Sequence, residues 1–305
     1  MTQMIPFAEA DAILNWIDLT DALAAGHDLP PAQVEDVFLY QGDNTLLNRS
    51  AWIKGLGLAV KCATIFPGNR AVDKPMVNGG VTLYSDEDGG LSAILDFHLV
   101  TKWKTAGDSL LAARRLARPD SRNILIVGAG TVGRSLKQAY SAAFPDATFT
   151  IWNRSKAGAE DFAADFPDVD IADDLETAVR RADIVTSATM STDPLIKGDW
   201  LQPGQHIDLI GAYRPDMREV DDAALQKSRI FVDNKGTTMD HIGELKIPLA
   251  GGVIQPSDIN ADYYDIDAFE RHSDDEITLF KNGGGAHLDL MTSSYIQAVW
   301  AQRHN

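Results

Sequence analysis

The stretch GAGTVG supplies Gly128, Gly130 and Gly133 in the G-x-G-x-x-G spacing. It follows the apolar run Ile124 to Val127 and opens a helical pattern through Leu136, Tyr140 and Phe144. A loop of this kind cradles a pyrophosphate. Gly128 permits the tight turn, Gly130 lets backbone approach the phosphates, and Gly133 lets helix and strand pack closely. The phosphates then meet the positive N-terminus of the helix, at Thr131 and Val132. Strand before and helix after separate this match from an ordinary glycine turn, so the spacing predicts a bound dinucleotide.

Roughly 20 residues after such glycines, an acid usually holds a ribose 2′-hydroxyl. That place reads Trp152, Asn153, Arg154, Ser155. An acid is absent and an arginine is present. Arg154 can pair with a 2′-phosphate, with Asn153 and Ser155 as further donors. The expectation is NADP(H) in preference to NAD(H), which stays possible; a solvated arginine at a strand end is the plain alternative. The loops after later strand candidates, with Ala188, Thr189, Met190, Ile210 and Gly211, complete the expected cofactor-binding set.

Two more places can carry chemistry. IGAYRPDM (210–217) reads as the loop after a buried strand, and it holds no carboxylate before Asp216. A tyrosine side chain titrates near 10 when unperturbed, so the residue type at 213 is a poor general base at neutral pH. It can donate a proton or pack over a nicotinamide ring. Lys61 stands in the apolar strand candidate GLAVKCATIF. A buried lysine costs several kcal/mol unless it is paired or functional. Strand alternation equally allows it to point outward from an edge.

These side chains need a scaffold. At 305 residues the chain can build one large α/β domain or two medium ones. Hydrophobic residues at 45% and charged residues at 23% fit a soluble globular protein. Lys+Arg 27 against Asp+Glu 44 gives a net charge of −17, which argues against nucleic acid and anionic membranes as partners. An anionic small substrate would then need local positive charge. Cys62 is alone, so no intrachain disulfide or Cys-rich metal site is expected, and His98 and His287 are single, so no metal is inferred. The opening MTQMIPFAEADAIL has no basic region followed by an apolar run, so no signal peptide is read there. No apolar stretch of about 18 residues occurs, and a reducing cytoplasm is the expected location.

The strand candidates TFTIWNRS (148–155), ADIVTSAT (182–189), GQHIDLIGAY (204–213) and SRIFVDN (228–234) alternate with helical stretches such as 156–166 and 174–181. With the strand at Ile124 they predict an α/β fold, a doubly wound parallel sheet. Residues 30–100 differ. VFLYQ, TLLNRSAWI, LGLAVKCATIF, VNGGVTLYS and LSAILDF are short strand candidates separated by Gly, Asp and Asn, which suggests a mostly antiparallel sheet. DSLLAARRLARPDSR (108–122) reads as a connecting helix ending near Pro119, and the last 20 residues read as a helix returning to the first domain.

The junction LVTKWKTAGDSLLAARRLARPDSRNILIVGAGTVG (99–133) resembles the ornithine cyclodeaminase and μ-crystallin family. Members usually carry Thr-x-x-Arg-Thr-Ala-Ala, an Ala- and Leu-rich helix, then the glycine loop. LGLAVKCATIFPGN (56–69) is similar to the family's Gly-x-Lys strand and Phe-Pro-x-Asn turn. LIGAYRPDMREVD (209–221) is similar to its Gly-Ala/Gly-x-x-Pro-x-x-x-Glu-Leu segment, and GGAHLDL (284–290) to its Gly-x-Ala-x-x-Asp-Leu ending. The resemblance spans about residues 50–300. It implies a Rossmann doubly wound parallel sheet at 119–285. It also implies a smaller α+β substrate and dimerisation domain from 1–118 with 286–305.

The resemblance further implies a hydride moving between nicotinamide C4 and an α-carbon that bears nitrogen and carboxylate. Lys61 would bind the carboxylate or carry the proton to or from the imine nitrogen. Lys104 lies where the family usually has arginine, keeping the charge but losing the bidentate fork. The family has an arginine on an earlier strand; Arg49, the first arginine here, either supplies that guanidinium or is a surface residue. Asp289 would bond Lys61 or a substrate amine, or lie on a helix surface. Cyclodeaminases of the family carry an aspartate at the third residue of their Gly-Gly-Asp segment, where Tyr213 stands.

The missing acid favours NAD(P)H-dependent reduction of a cyclic α-imino acid such as Δ1-pyrroline-2-carboxylate, giving an amino acid such as proline. A homodimer is expected from the free sheet edge. Two alternatives stay open. An ornithine cyclodeaminase with recycled NAD would need Asp208 or Asp216 displaced toward Tyr213. A non-catalytic NADP-binding protein of the crystallin kind would explain the lost arginines but not an intact Lys61.

Overall fold

Short strands fold where Gly, Asp and Asn punctuate the first third of the chain. The computed structural model describes residues 2–304. The chain divides into two compact units, residues 1–104 with 284–305 and residues 105–283.

In the first unit the strands are β1 (Gln3–Ile5), β2 (Gln33–Gln41), β3 (Asn44–Ile53), β4 (Gly57–Ile65), β5 (Val77–Tyr84) and β6 (Leu91–Asp96). Their order is β1-β6-β5-β4-β3-β2. Neighbours from β2 to β6 run antiparallel, while β1 joins β6 in parallel. Gly42, at φ 58°, turns β2 into β3 so that Gln41 faces Asn44. The helices of this unit are α1 (Phe7–Asp11), α2 (Trp16–His27), the start of α3 (Phe97–Leu116) and the C-terminal helix (Ala286–His304). The C-terminal helix lies across β2 to β5 and against α2.

Helix α3 begins at Phe97, not near Asp108 as expected. Asp96 Oδ1 accepts the N–H groups of His98 at 2.7 Å and Leu99 at 3.1 Å. The last residue of a strand thus caps a helix that follows it without a turn. The helix stops at Leu116, ahead of Pro119.

The second unit holds β7 (Asn123–Val127), β8 (Thr148–Trp152), β9 (Val169–Ile171), β10 (Ile184–Ser187), β11 (His206–Leu209), β12 (Arg229–Val232), β13 (Ile259–Ala261) and β14 (Thr278–Lys281). Every pairing is parallel, in the order β13-β12-β14-β11-β10-β7-β8-β9. The intervening helices are α4 (Thr131–Ala143), α5 (Lys156–Asp165), α6 (Leu175–Arg181), α7 (Asp222–Lys227), α8 (Lys235–Thr238) and α9 (Gly243–Ala250). Leu125, Val127, Val185, Ile207, Leu209, Val232 and Leu279 share one apolar core. The strand order reverses between β7 and β10, and ligands of such sheets lie outside the carboxyl ends of the strands at that point. Strand β14 is not anticipated by the sequence reading. It is short, and Thr278 and Lys281 at its ends hide the apolar run, yet it lies wholly buried between β11 and β12. Among the described residues, no helix is long and apolar enough to cross a membrane.

Candidate active site

Lys61 lies at the middle of β4, which is paired on both sides, so it is not on an edge. Burial alternates along the strand, and Lys61 shares the covered face with Ala59 and Ala63. Its ammonium donates to Asp289 Oδ1 at 2.9 Å, and both side chains are buried. The Phe97 ring faces the same ammonium, 4.8 Å from its centroid. Asp289 therefore does not lie on a helix surface. It projects from the first turn of the C-terminal helix into the sheet's covered face.

Two further cations gather on one carbonyl. Arg49 stands directly across from Lys61 on β3. Its Nη1 donates to Gly284 O at 2.9 Å, and its Nε and Nη2 grip Asp36 of β2. Lys104, buried in α3, donates to the same Gly284 O at 3.0 Å. Gly284 has φ 66°, a left-handed conformation that turns its carbonyl toward these cations. Among the described residues Lys104 makes no ion pair, so a buried ammonium with three donors meets one carbonyl. Asp289 Oδ2 likewise has no hydrogen-bond partner there. An acidic chain has concentrated two buried lysines, Lys61 and Lys104, and the half-buried Arg49 in one place.

The electrostatics follow from that crowding. Burial lowers the Lys61 ammonium to about 8; Asp289 opposes the drop, and Lys104 and Arg49 add to it. Burial alone would raise Asp289, but Lys61, Lys104 and Arg49 outweigh it and hold the carboxyl below its usual range. His287 is buried, and burial with the charges of His27 and Lys104 holds it well below 6.5, so it is neutral.

In the second unit, each glycine of the loop has its own reason. Gly128 adopts φ 111°, and a Cβ there would lie 2.7 Å from Ala188 O. A Cβ on Gly133 would meet Gly128 O at 2.1 Å, so only glycine lets α4 approach β7. A Cβ on Gly130 would meet nothing within 4 Å. That open space at the start of α4, where no side chain caps the helix, suits a phosphate. The residues present therefore fit a dinucleotide pyrophosphate.

At the end of β8, Asn153 is occupied by the loop itself. Its Oδ1 accepts from Ala129 N at 3.2 Å, and its Nδ2 donates to Ser155 O at 2.9 Å. Ser155 caps α5 through Gly158 N. Arg154 is exposed. It forms no hydrogen bond or ion pair among the described residues.

The loops after β10 and β11 meet closely. A Cβ on Gly211 would lie 1.8 Å from Thr189 O. Ile210 is buried, while Met190 is 68% exposed and Tyr213 is 58% exposed. The Arg214 guanidinium lies 5.8 Å from the Tyr213 ring centroid. The two acids of this segment both have partners. Asp208 is buried and accepts from Thr186 Oγ1 at 2.6 Å, Ser109 Oγ at 2.9 Å and Tyr140 Oη at 3.0 Å. Asp216 is bound twice by Arg214 at 2.9 Å, which lowers its pKa. Among the buried acids that the sequence reading did not single out is Glu219. Glu219, inside the quoted segment LIGAYRPDMREVD, accepts from Ser187, Thr189, Gly211 and Ala212.

A doubly wound sheet with a glycine loop in the second unit, and a cationic cluster in the first, are what a dinucleotide-dependent enzyme of small anionic metabolites needs. The model of the ornithine cyclodeaminase/mu-crystallin family matches residues 51–304. A Δ1-pyrroline-2-carboxylate reductase of Paracoccus denitrificans is 49% identical, over 98% of this chain and 97% of its own. Two solved structures share the fold at TM-score 0.90. One is the Thermococcus litoralis Δ1-pyrroline-2-carboxylate reductase in complex with NADH and L-proline, 23% identical, covering 99% of this chain and 98% of that one. The other is an archaeal alanine dehydrogenase dimer with bound NAD, 25% identical, covering 100% and 97%. The chain belongs to the ornithine cyclodeaminase/mu-crystallin family.

Proposed function

We propose that this protein is an NAD(P)H-dependent reductase of a cyclic α-imino acid, with Δ1-pyrroline-2-carboxylate as substrate and proline as product. One observation carries the reading: the buried cations Lys61 and Lys104 gather with Arg49 in an acidic chain, Lys104 and Arg49 on the same Gly284 carbonyl. The reductase from Paracoccus denitrificans, at 49% identity over nearly the whole chain, supports the same substrate.

Gly128, Gly130, Gly133 and the start of α4 hold the pyrophosphate of the dinucleotide, and Ala188, Thr189 and Gly211 lie toward its nicotinamide end. Bound in its reduced form, the nicotinamide supplies a hydride. Lys104 takes the substrate carboxylate, with Arg49 beside it adding positive charge, since Gly284 O occupies only one of the three Lys104 donors. Lys61 gives the imine nitrogen its proton, so that C=N gains one hydride and one proton and becomes CH–NH. Asp289 keeps Lys61 charged and aimed. Tyr213 packs at the mouth of its loop and moves no proton.

Arg154 favours NADPH over NADH, since it is exposed at the end of β8 with no acid beside it. We further propose a homodimer. Among the described residues strand β2 is a sheet edge that exposes Val37, Phe38, Leu39 and Tyr40, a surface a second copy can cover. The alanine dehydrogenase of the same fold is described as a dimer. Cys62 is free, in keeping with a reducing cytoplasm.

The test uses a cofactor carrying deuterium at nicotinamide C4. Proline formed from Δ1-pyrroline-2-carboxylate should gain one deuterium at Cα. Unlabelled proline, or none, would sink the reading.

A further inference from the structure

We propose that Glu219 is a positioning residue for the nicotinamide half of the dinucleotide: its carboxylate fixes the gap between the loops that follow β10 and β11. The inference rests on the reductase reading only for its effect on turnover.

Glu219 is fully buried, and among the described residues no lysine or arginine forms an ion pair with it. Donors satisfy it instead, and they divide by oxygen. Oε1 accepts from Ser187 Oγ at 2.6 Å and from the N–H and Oγ1 of Thr189, each at 2.8 Å. Those residues end β10 and begin its loop. Oε2 accepts from Gly211 N at 2.6 Å and Ala212 N at 3.2 Å, in the loop after β11. One rigid carboxylate therefore holds one loop with each oxygen.

Its own place is fixed from behind. Glu244 accepts the N–H groups of Glu219 at 2.7 Å and Val220 at 3.2 Å. Glu219 O accepts from Leu195 N at 2.9 Å and Ile196 N at 3.0 Å. The backbone cannot follow the loops if they drift. Nor can the loops close further, because Gly211 already lies against Thr189 O, too near to admit a Cβ. Contact sets the minimum gap and Glu219 sets the maximum.

The location gives this gap a purpose. The glycine loop ends β7, and Arg154 ends β8 on one side of it. The phosphate end and adenosine ribose therefore belong to β7 and β8. The remaining half of a dinucleotide must extend the other way, over the carboxyl ends of β10 and β11. A buried carboxylate costs several kcal/mol without strong donors, so a corner needing only closure would be filled more cheaply by a neutral side chain. A charged group with donors from both loops defines a geometry to tenths of an ångström.

Glu219→Gln tests the proposal with its shape kept. The new amide must present N–H to donors of one loop. Dissociation constants are measured for NADPH and for 2′-phospho-ADP-ribose, the same ligand without nicotinamide; NADH and ADP-ribose are the matching pair if NADH binds better. The expected result is NADPH weakened by about tenfold, kcat lowered by about tenfold or more, and the fragment within about twofold of wild type. Equal weakening of NADPH and fragment, or no change in either, overturns the proposal. If Glu219→Gln does not fold, Thr189→Val removes one donor to Oε1 in the same shape. It should weaken NADPH by about threefold and leave the fragment unchanged, and no selective loss overturns the proposal. Binding is read without imine, so a wild-type protein that failed to reduce the imine would refute the reductase reading and leave this result standing.

Discussion

The Lys61 ammonium lies 2.9 Å from Asp289 Oδ1 with both side chains shut off from water. The Lys61 pKa is lowered to about 8, so the group is a cation at neutral pH and loses its proton as pH rises through that value. A mechanism that uses the charged form predicts kcat/KM for the imino acid to be flat below about 8 and to fall above it. Asp289→Asn removes the carboxylate that raises Lys61, so the falling limb moves to lower pH. A limb unmoved in Asp289→Asn would separate it from Lys61. Lys61→Met should lower kcat/KM by about 10²- to 10⁴-fold, the usual span for a lost general acid. Steady-state rates across pH 6–10 check all of this.

Arg154 is exposed just beyond β8, and among the described residues no carboxylate pairs with it. Arg154→Ala should raise the KM for NADPH by about tenfold and that for NADH by less than about twofold, since only one of them carries a 2′-phosphate. Equal effects would remove the basis for the NADP(H) preference.

The glycines predict opposite outcomes on folding. Gly130→Ala places a methyl where the protein has nothing within 4 Å, so Tm should shift by no more than about 2 °C while NADPH binding weakens by about tenfold or more. Gly133→Ala drives a methyl to 2.1 Å from Gly128 O, so it should lower Tm by several degrees as well as abolish binding. Thermal melts with NADPH titrations on both variants decide the matter.

Tyr213 is more than half exposed, with its ring beside Arg214. A packing role predicts Tyr213→Phe to retain kcat within about threefold and Tyr213→Ala to lose more than that. A loss of about a hundredfold in Tyr213→Phe would make its hydroxyl the proton donor in place of Lys61.

Much of this was readable from residues in order. The glycine loop announced both its strand and its helix, because each glycine answers a local constraint. Lys61 announced itself by charge in an apolar run. Its partner did not. Asp289 reads equally as a helix-surface acid, and only the C-terminal helix lying across the covered face of the sheet turns it inward. Sequence alone leaves Arg49 between clamp and surface for the same reason: its pairing with Asp36 and Gly284 O depends on strand register. By type and position Asn153 reads as a phosphate donor; in the fold its amide is engaged with Ala129 and Ser155. Glu219 and β14 stayed hidden because their meaning comes from donors and strands far away in the chain. The early start of α3 was masked by Asp96, which serves strand and helix at once.

The most direct test of the central claim follows absorbance at the nicotinamide band while purified protein meets Δ1-pyrroline-2-carboxylate, with NADPH and NADH in parallel. The account predicts oxidation of the cofactor, faster with NADPH, and its loss in Lys61→Met. A cofactor that stays reduced in both reactions, with ammonia released from ornithine, would contradict it.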